Sequence, residues 1–304
     1  MIRICVVGCG AIGSLYAAHL ARLDDVEVWA VDPWAEHVTA INEAGLRVVG
    51  HDSFLAPVRA TVTAADVPPC SLGIVATKAE HTRAAVAACA EVFADAAVAS
   101  VQNGLGNEEV LAELVPRVIR GTILPAGVVT GPGVVRYDAP GDTWLGPFEP
   151  RPASMSEVER LSTLLTRSGL ACHALTDARG PQWDKVVFNS ATSPLAALTG
   201  LPMGPLCSDP ALRVQIDALV AEARSVCTAL GIPLSDVAHR IDEAVEVAYQ
   251  HRPSMLQDVL ARRCTEVDVL NGGIVAQAFR IGIPTPLHDA MVALVHGLER
   301  SWES

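Results

Sequence analysis

The strand-like run 2–7 ends on Gly8-Cys9-Gly10-Ala11-Ile12-Gly13, and no other stretch so narrows what this chain can fold into. The residues before Gly8 are mostly apolar, as a strand covered on both faces requires. Those over 14–23 repeat apolar positions at helical spacing. The glycines have G-x-G-x-x-G spacing, and each position meets a different demand. Gly8 permits a tight turn, Gly10 lets a pyrophosphate approach the backbone, and Gly13 lets helix and strand pack closely. The helix start at Ala11, Ile12 and Gly13 offers unpaired N–H groups and a positive dipole end to phosphates. A second strand over 26–31 ends on Asp32, nineteen residues after Gly13. A carboxylate there suits the two free hydroxyls of an adenosine ribose. Strand, turn, helix, strand and acid in this order predict a Rossmann-type dinucleotide site.

The chain has 304 residues, half of them hydrophobic and 18% charged, which suits two well-buried domains. A net charge of −12 argues against a nucleic-acid partner, which needs a basic face. No apolar run reaches the roughly 18–20 residues of a membrane span, and the start lacks a leader pattern. The expectation is a cytoplasmic protein with no membrane partner. The eight cysteines are scattered without a C-x-x-C pair and read as reduced core thiols. Neither they nor the histidines have metal-ligand spacing, so no metal is expected; His81 and His288 read as capping or surface residues.

Further along, helix is predicted over 34–44, strands over 46–49, 54–63 and 70–76, an alanine-rich helix over 79–93 and a strand over 96–101. Alternation of this kind predicts a doubly wound parallel sheet, whose ligands sit beyond the carboxyl ends of the strands. Lys78 and Asn103 fall at such ends. Residues 117–147 read as strands extending the sheet or as a small antiparallel hairpin. A helix over 155–168 and a strand over 170–175 follow. Beyond 177 only helical patterns remain, over 182–198, 210–230, 234–249, 254–281 and 286–299. The fold class is therefore α/β with an all-helical C-terminal domain, divided as 1–177 and 178–304, with a cleft between.

In the helical half Lys185 and Asn189 are four residues apart and share one helix face; Ser193 extends the row before Pro194 disturbs it. Ser254-Met255-Leu256-Gln257-Asp258 begins a second polar cluster, in which Ser254 and Gln257 also have capping-box spacing. Taken with the glycine motif, Thr77-Lys78, Gln102-Asn103-Gly104, Thr265-Glu266-Val267-Asp268 and Asn271-Gly272, these segments resemble the ketopantoate reductase family across nearly the whole chain. The resemblance implies reduction of a 2-oxo acid by a nicotinamide cofactor. It implies Lys185 as the catalytic lysine and Glu266 as its partner carboxylate. Asn103, Asn189, Ser193 and Ser254 fall on the substrate side, and Lys78 and Asn103 near the cofactor. The chemistry suits these types, because a cation at the ketone oxygen stabilises developing negative charge and supplies a proton.

Two positions depart from the biosynthetic members. Asp32 stands where a basic residue meets the 2′-phosphate of NADPH, and Pro33-Trp34-Ala35-Glu36 brings no cation. NAD(H) is therefore expected over NADP(H). Ser193 replaces a frequent asparagine and widens the pocket, which favours a D-2-hydroxyacid dehydrogenase acting on a ketopantoate-like, branched or aromatic substrate. The alternatives are NADPH-linked reduction of ketopantoate in pantothenate synthesis and a non-catalytic NAD sensor. A homodimer is compatible with a helical second domain.

Overall fold

The computed structural model describes residues 1–302. The chain divides into two compact units, Met1–Gln102 with Asn107–Ala178, and Asn103–Gly106 with the chain from Arg179 onward. The first unit begins β1 (Ile2–Val7), α1 (Ala11–Leu20), β2 (Val26–Val31), α2 (Ala35–Ala44), β3 (Leu46–Gly50), β4 (Phe54–Ala56), β5 (Arg59–Thr61) and β6 (Leu72–Val75). It continues α3 (Thr82–Ala88), β7 (Ala97–Ser100), α4 (Asn107–Leu114), β8 (Arg117–Ile123), β9 (Ala126–Gly131), β10 (Val134–Ala139), β11 (Thr143–Pro147), α5 (Met155–Arg167) and β12 (Cys172–Ala174).

The main sheet runs β12-β11-β8-β7-β6-β1-β2-β5, parallel except where β11 pairs with β8. β1 lies between β2 and β6, so Ile4, Cys5, Val6 and Val7 are buried, as the apolar run requires. Strand order reverses at β1: the chain moves out to β2 and β5, then returns to β6. Ligands of such sheets bind at that reversal, beyond the carboxyl ends, where the glycine turn lies.

The expected strand over 54–63 is instead two short strands separated at Pro57. β4 pairs antiparallel with β3 in a second sheet, order β4-β3-β10-β9, and β5 pairs with β2 at the edge of the main sheet. Proline removes the ladder donor that one continuous strand needs. The expected helix over 79–93 shrinks to a 3₁₀ turn at Ala79–His81 and α3. Both readings of 117–147 are realised, since β8 and β11 extend the main sheet while β9 and β10 form a hairpin. The sequence pattern gives no sign of α4.

The second unit is helical: α6 (Arg179–Thr199), α7 (Met203–Ser208), α8 (Pro210–Ala229), α9 (Val237–Val247), α10 (Ser254–Leu260), α11 (Asn271–Ile281) and α12 (Pro286–Arg300). α6 is its centre, packing against α8, α10 and α12 through Trp183, Val186, Val187, Ala191 and Leu195. The helix expected over 254–281 is interrupted across 261–270. Asp258, buried at the end of α10, accepts from Arg263 Nε at 3.0 Å, and the Arg263 N–H bonds the Asp258 carbonyl at 2.9 Å. Arg262 turns the chain with φ +50°. The β-branched residues Thr265, Val267 and Val269 then favour helix weakly. Among the described residues no helix is long and apolar enough to cross a membrane.

The three motif glycines differ as their positions demand. Gly8 has φ +89°, which L side chains rarely adopt. A Cβ on Gly13 would lie 1.8 Å from the Gly8 carbonyl oxygen, whereas one on Gly10 would meet nothing within 4 Å. Gly13→Ala is therefore expected to lower the melting temperature by about 5 °C or more through overpacking. Gly10→Ala should stay within about 2 °C of wild type. Thermal denaturation of the two variants checks the contrast, and equal losses would defeat it.

Candidate functional site

The glycine turn is held rigid by its own surroundings. The Cys9 N–H donates to Asp32 Oδ2 at 2.6 Å, and Ser14 Oγ donates to the Cys9 carbonyl at 2.7 Å. Asp32 Oδ1 accepts from the Trp34 N–H at 2.9 Å. One carboxylate thus ties the turn after β1 to the end of β2. His37 Nδ1 accepts the Gly133 N–H at 3.0 Å, so its proton sits on Nε2, facing Ser14 Oγ at 3.4 Å. Burial holds this imidazole below its ordinary pKa. Trp34 stacks on the same ring, 5.0 Å between centroids and 8° between planes.

These residues fit a dinucleotide. Gly10 leaves the space a phosphate needs, α1 opens at Ala11 with its first-turn amides unpaired by the helix, and the Asp32 carboxylate follows β2. Lys78 sits three residues past β6, at the same end of the sheet. Sequence reasoning missed Gln102 as the buttress of that segment. Its buried amide donates to the Thr77 carbonyl at 2.9 Å and to Thr82 Oγ1 at 2.7 Å. A polar residue two positions past the end of β7 was the available signal.

Within the second unit the fold brings Asn103, Lys185 and Glu266 together. Lys185 Nζ donates to Asn103 Oδ1 at 2.8 Å, and Asn103 Nδ2 donates to Glu266 Oε2 at 3.0 Å. Only one orientation of the Asn103 amide serves both neighbours, because the ammonium needs an acceptor and the carboxylate a donor. The loop carrying Asn103 is fixed by the Leu105 N–H, which bonds the Val269 carbonyl at 2.8 Å. Gly104 has φ +84°, and a Cβ there would fall 2.4 Å from that same oxygen. Glycine is thus required where the loop meets the segment bearing Glu266. Burial drags Lys185 down to about 8, against the opposing pull of the Glu266 charge.

The remaining candidates take their places from their helices. Asn189 lies half-buried one turn beyond Lys185 on α6, and Ser193 is buried a turn further. Ser254 opens α10, the helix packed on α6, with its side chain exposed. It forms no capping box: Pro253 precedes the helix as its cap, and Gln257 Nε2 bonds the Arg252 carbonyl. Glu266 stands on the non-helical stretch before α11, not on the long helix that periodicity suggested. His288, expected at the surface, is fully buried. Among the described residues no cluster of three or more His, Cys, Asp or Glu side chains is arranged to hold a metal.

Comparison with known proteins agrees with both halves of the chain. Residues 4–150 match the sequence model described as ketopantoate reductase PanE/ApbA, and residues 177–299 match its C-terminal counterpart. The curated 2-dehydropantoate 2-reductase of Pyrococcus horikoshii is 30% identical over 98% of each chain, and that of Archaeoglobus fulgidus is 31% identical with the same coverage. Among solved structures, a PanE/ApbA family ketopantoate reductase from Ralstonia eutropha JMP134 superposes with TM-score 0.89 at 28% identity, covering both chains in full. D-mandelate dehydrogenase, in a ternary complex with NADH and anilino(oxo)acetate, superposes with TM-score 0.87 at 27% identity over 99% of both chains.

A lysine titrating near 8 in the fold and near 10.5 when unfolded gives stability a definite pH dependence. Between those values the unfolded chain binds a proton that the folded chain does not, so stability rises with pH across this window. Lys185→Met should therefore outlast wild type more at pH 7 than at pH 10. The gap should narrow by on the order of 3 kcal/mol. Denaturant unfolding of both proteins across the window measures it; a gap that stays constant places the lysine in water.

Proposed function

This chain belongs to the ketopantoate reductase family, and from that premise we propose that it interconverts a 2-oxo acid and its (R)-2-hydroxy acid with NAD(H). The oxidoreductase class, acting on the CH–OH group of a 2-hydroxy acid, comes with the family. The observation that carries the mechanism is the Lys185–Asn103–Glu266 relay with its depressed lysine pKa. Gly8, Gly10, Ala11, Ile12, Gly13 and Asp32 hold the dinucleotide, aided by Lys78 and Asn103; bound NADH supplies the hydride. Lys185 faces the ketone oxygen and donates its proton as the carbonyl π pair moves onto that oxygen. The product is a hydroxyl and a neutral amine. In the oxidative direction the neutral amine takes the proton back. A pKa near 8 makes both roles available close to neutrality. Glu266, through Asn103, keeps the ammonium aimed. Asn103 and Ser254 hold the substrate carboxylate, and Asn189 and Ser193 border its side chain. The small Ser193 suits a branched or aromatic group.

NAD(H) is favoured by Asp32, because a carboxylate that already anchors the turn repels a 2′-phosphate and suits a free diol. The NADH-bound D-mandelate dehydrogenase, a solved structure with this fold, supports the same preference. The competing reading is NADPH-linked reduction of ketopantoate, favoured by the names of the curated relatives. In either case the partner is a small molecule and the enzyme is cytoplasmic; a homodimer remains part of the proposal.

Three outcomes are expected from a panel of branched and aromatic 2-oxo acids, ketopantoate included, assayed by loss of reduced-nicotinamide absorbance. NADH exceeds NADPH in kcat/KM by tenfold or more, about the 1.4 kcal/mol of one unfavourable charge contact; a reversal of that preference selects pantoate synthesis. Lys185→Ala lowers kcat by about 10²–10⁴-fold, and near-normal turnover removes the lysine from the chemistry. Reduction slows above pH about 8 while oxidation quickens. A protein that binds NADH yet turns over no acid is the sensor.

A further inference from the structure

α6 carries a proline at position 194, thirteen residues after Pro181 and well inside the helix. Proline has no N–H, so the Ser190 carbonyl loses the i→i−4 bond that residue 194 would otherwise give it. A buried carbonyl left in that state costs about 1–3 kcal/mol, and Ser190 is fully buried. The missing donor comes from another helix. Asn271 Nδ2 donates to the Ser190 carbonyl at 2.9 Å. Its second N–H faces His288 Nδ1 at 3.0 Å.

The imidazole fits this arrangement in one tautomer. His288 Nε2 lies 3.1 Å from the Leu219 carbonyl, which only accepts, so the proton is on Nε2 and Nδ1 is free to accept from Asn271. Burial holds His288 below its ordinary pKa and keeps it neutral. The Leu287 and His288 backbone N–H groups in turn donate to Glu222 on α8 at 3.0 and 3.1 Å. Asn271 therefore joins α6, α11, α12 and, through His288, α8. Its Oδ1 is buried with no partner among the described residues. The side chain is held for its two donors, at the expense of its acceptor.

The consequence concerns spacing. Lys185 lies five residues before Ser190 on α6. Glu266 lies five residues before Asn271, on a turn whose Leu270 and Gly272 N–H groups bond the Glu266 and Val267 carbonyls at 3.1 and 3.0 Å. We propose that Asn271 is a positioning residue, which uses the carbonyl vacated by Pro194 to clamp the turn bearing Glu266 onto the helix bearing Lys185. It touches neither substrate nor cofactor. It fixes the separation over which Asn103 bridges ammonium and carboxylate, and so acts on the chemical step.

The test is a double-mutant cycle of Asn271→Leu and Pro194→Ala, with Lys185→Ala as the control for the catalytic reading on which this inference rests. Leucine keeps the volume and removes both donors. With Pro194 in place, Asn271→Leu is expected to lower kcat by tenfold or more. The KM for the 2-oxo acid and the Kd of NADH should each move less than threefold. Alanine at 194 restores a helical N–H to the Ser190 carbonyl and so releases Asn271. Pro194→Ala alone is expected to lower kcat by a similar factor, and in that background Asn271→Leu should cost less than a further threefold. If Asn271→Leu alone is insoluble, the double variant is expected to fold and turn over. Equal kcat losses in both backgrounds, wild-type kcat for Asn271→Leu, or insolubility that Pro194→Ala does not relieve overturns the clamp. Turnover surviving in Lys185→Ala instead overturns the catalytic reading and leaves the clamp as a purely structural contact.

Discussion

A half-buried lysine ammonium is the constraint around which the helical unit is built. An unpaired buried cation is expensive, and Lys185 is compensated by one neutral acceptor, Asn103 Oδ1, with the Glu266 charge beyond it. Direct contact between ammonium and carboxylate would hold the proton more firmly. Interposing an amide keeps the carboxylate's influence while leaving desolvation dominant, and the lysine settles near 8. Asn103 itself reaches the site only because the loop 103–106 belongs with the helices, although its sequence follows a strand. Gly104 permits the close approach, and the Leu105–Val269 hydrogen bond fastens it.

The dinucleotide end solves a different problem, which is to keep a glycine-rich turn from wandering. Glycine loses more entropy on ordering than other residues, so a turn with three of them needs anchors. Cys9 supplies both: its N–H is taken by Asp32 and its carbonyl by Ser14. The acid at the end of β2 is thus a structural brace in its own right. A substitution at Asp32 loosens the turn as well as changing the charge that a 2′-phosphate would meet.

What the sequence disclosed and what it hid follow from the range of the forces involved. Gly8, Gly13 and Asp32 were legible because turn geometry and strand periodicity are local, and β2 was read with its observed ends. The Lys185–Asn189–Ser193 row was legible because four-residue spacing fixes a helix face. The break between α10 and α11 was not, since the apolar period of 254–281 continues through it. It depends on the buried Asp258 accepting from the exposed Arg263, a pair that forms only after the chain has turned. His288 looked like a surface residue for the same reason: its two ring nitrogens are satisfied by Asn271 and Leu219, far apart in sequence. The grouping of Asn103, Lys185 and Glu266 came from the resemblance, as no local pattern connects residues 82 and 163 positions apart.

The proposed function would divide specificity between the two units. On the proposed function, Asp32 at the end of β2 would bear on the cofactor and Ser193 within α6 on the substrate, one in each unit. A change at either alters one recognition without touching the relay of Lys185, Asn103 and Glu266. That relay depends on Gly104, on the interrupted helix before Glu266, and on the tie between Ser190 and Asn271. The first two are backbone features and the third is a side-chain bond to a backbone carbonyl; none lines a pocket. On that reading, one acid or one dinucleotide could be exchanged for another while Lys185 keeps its place. Curated 2-dehydropantoate 2-reductases align with this chain over 98% of its length, and an NADH-bound D-mandelate dehydrogenase superposes on it.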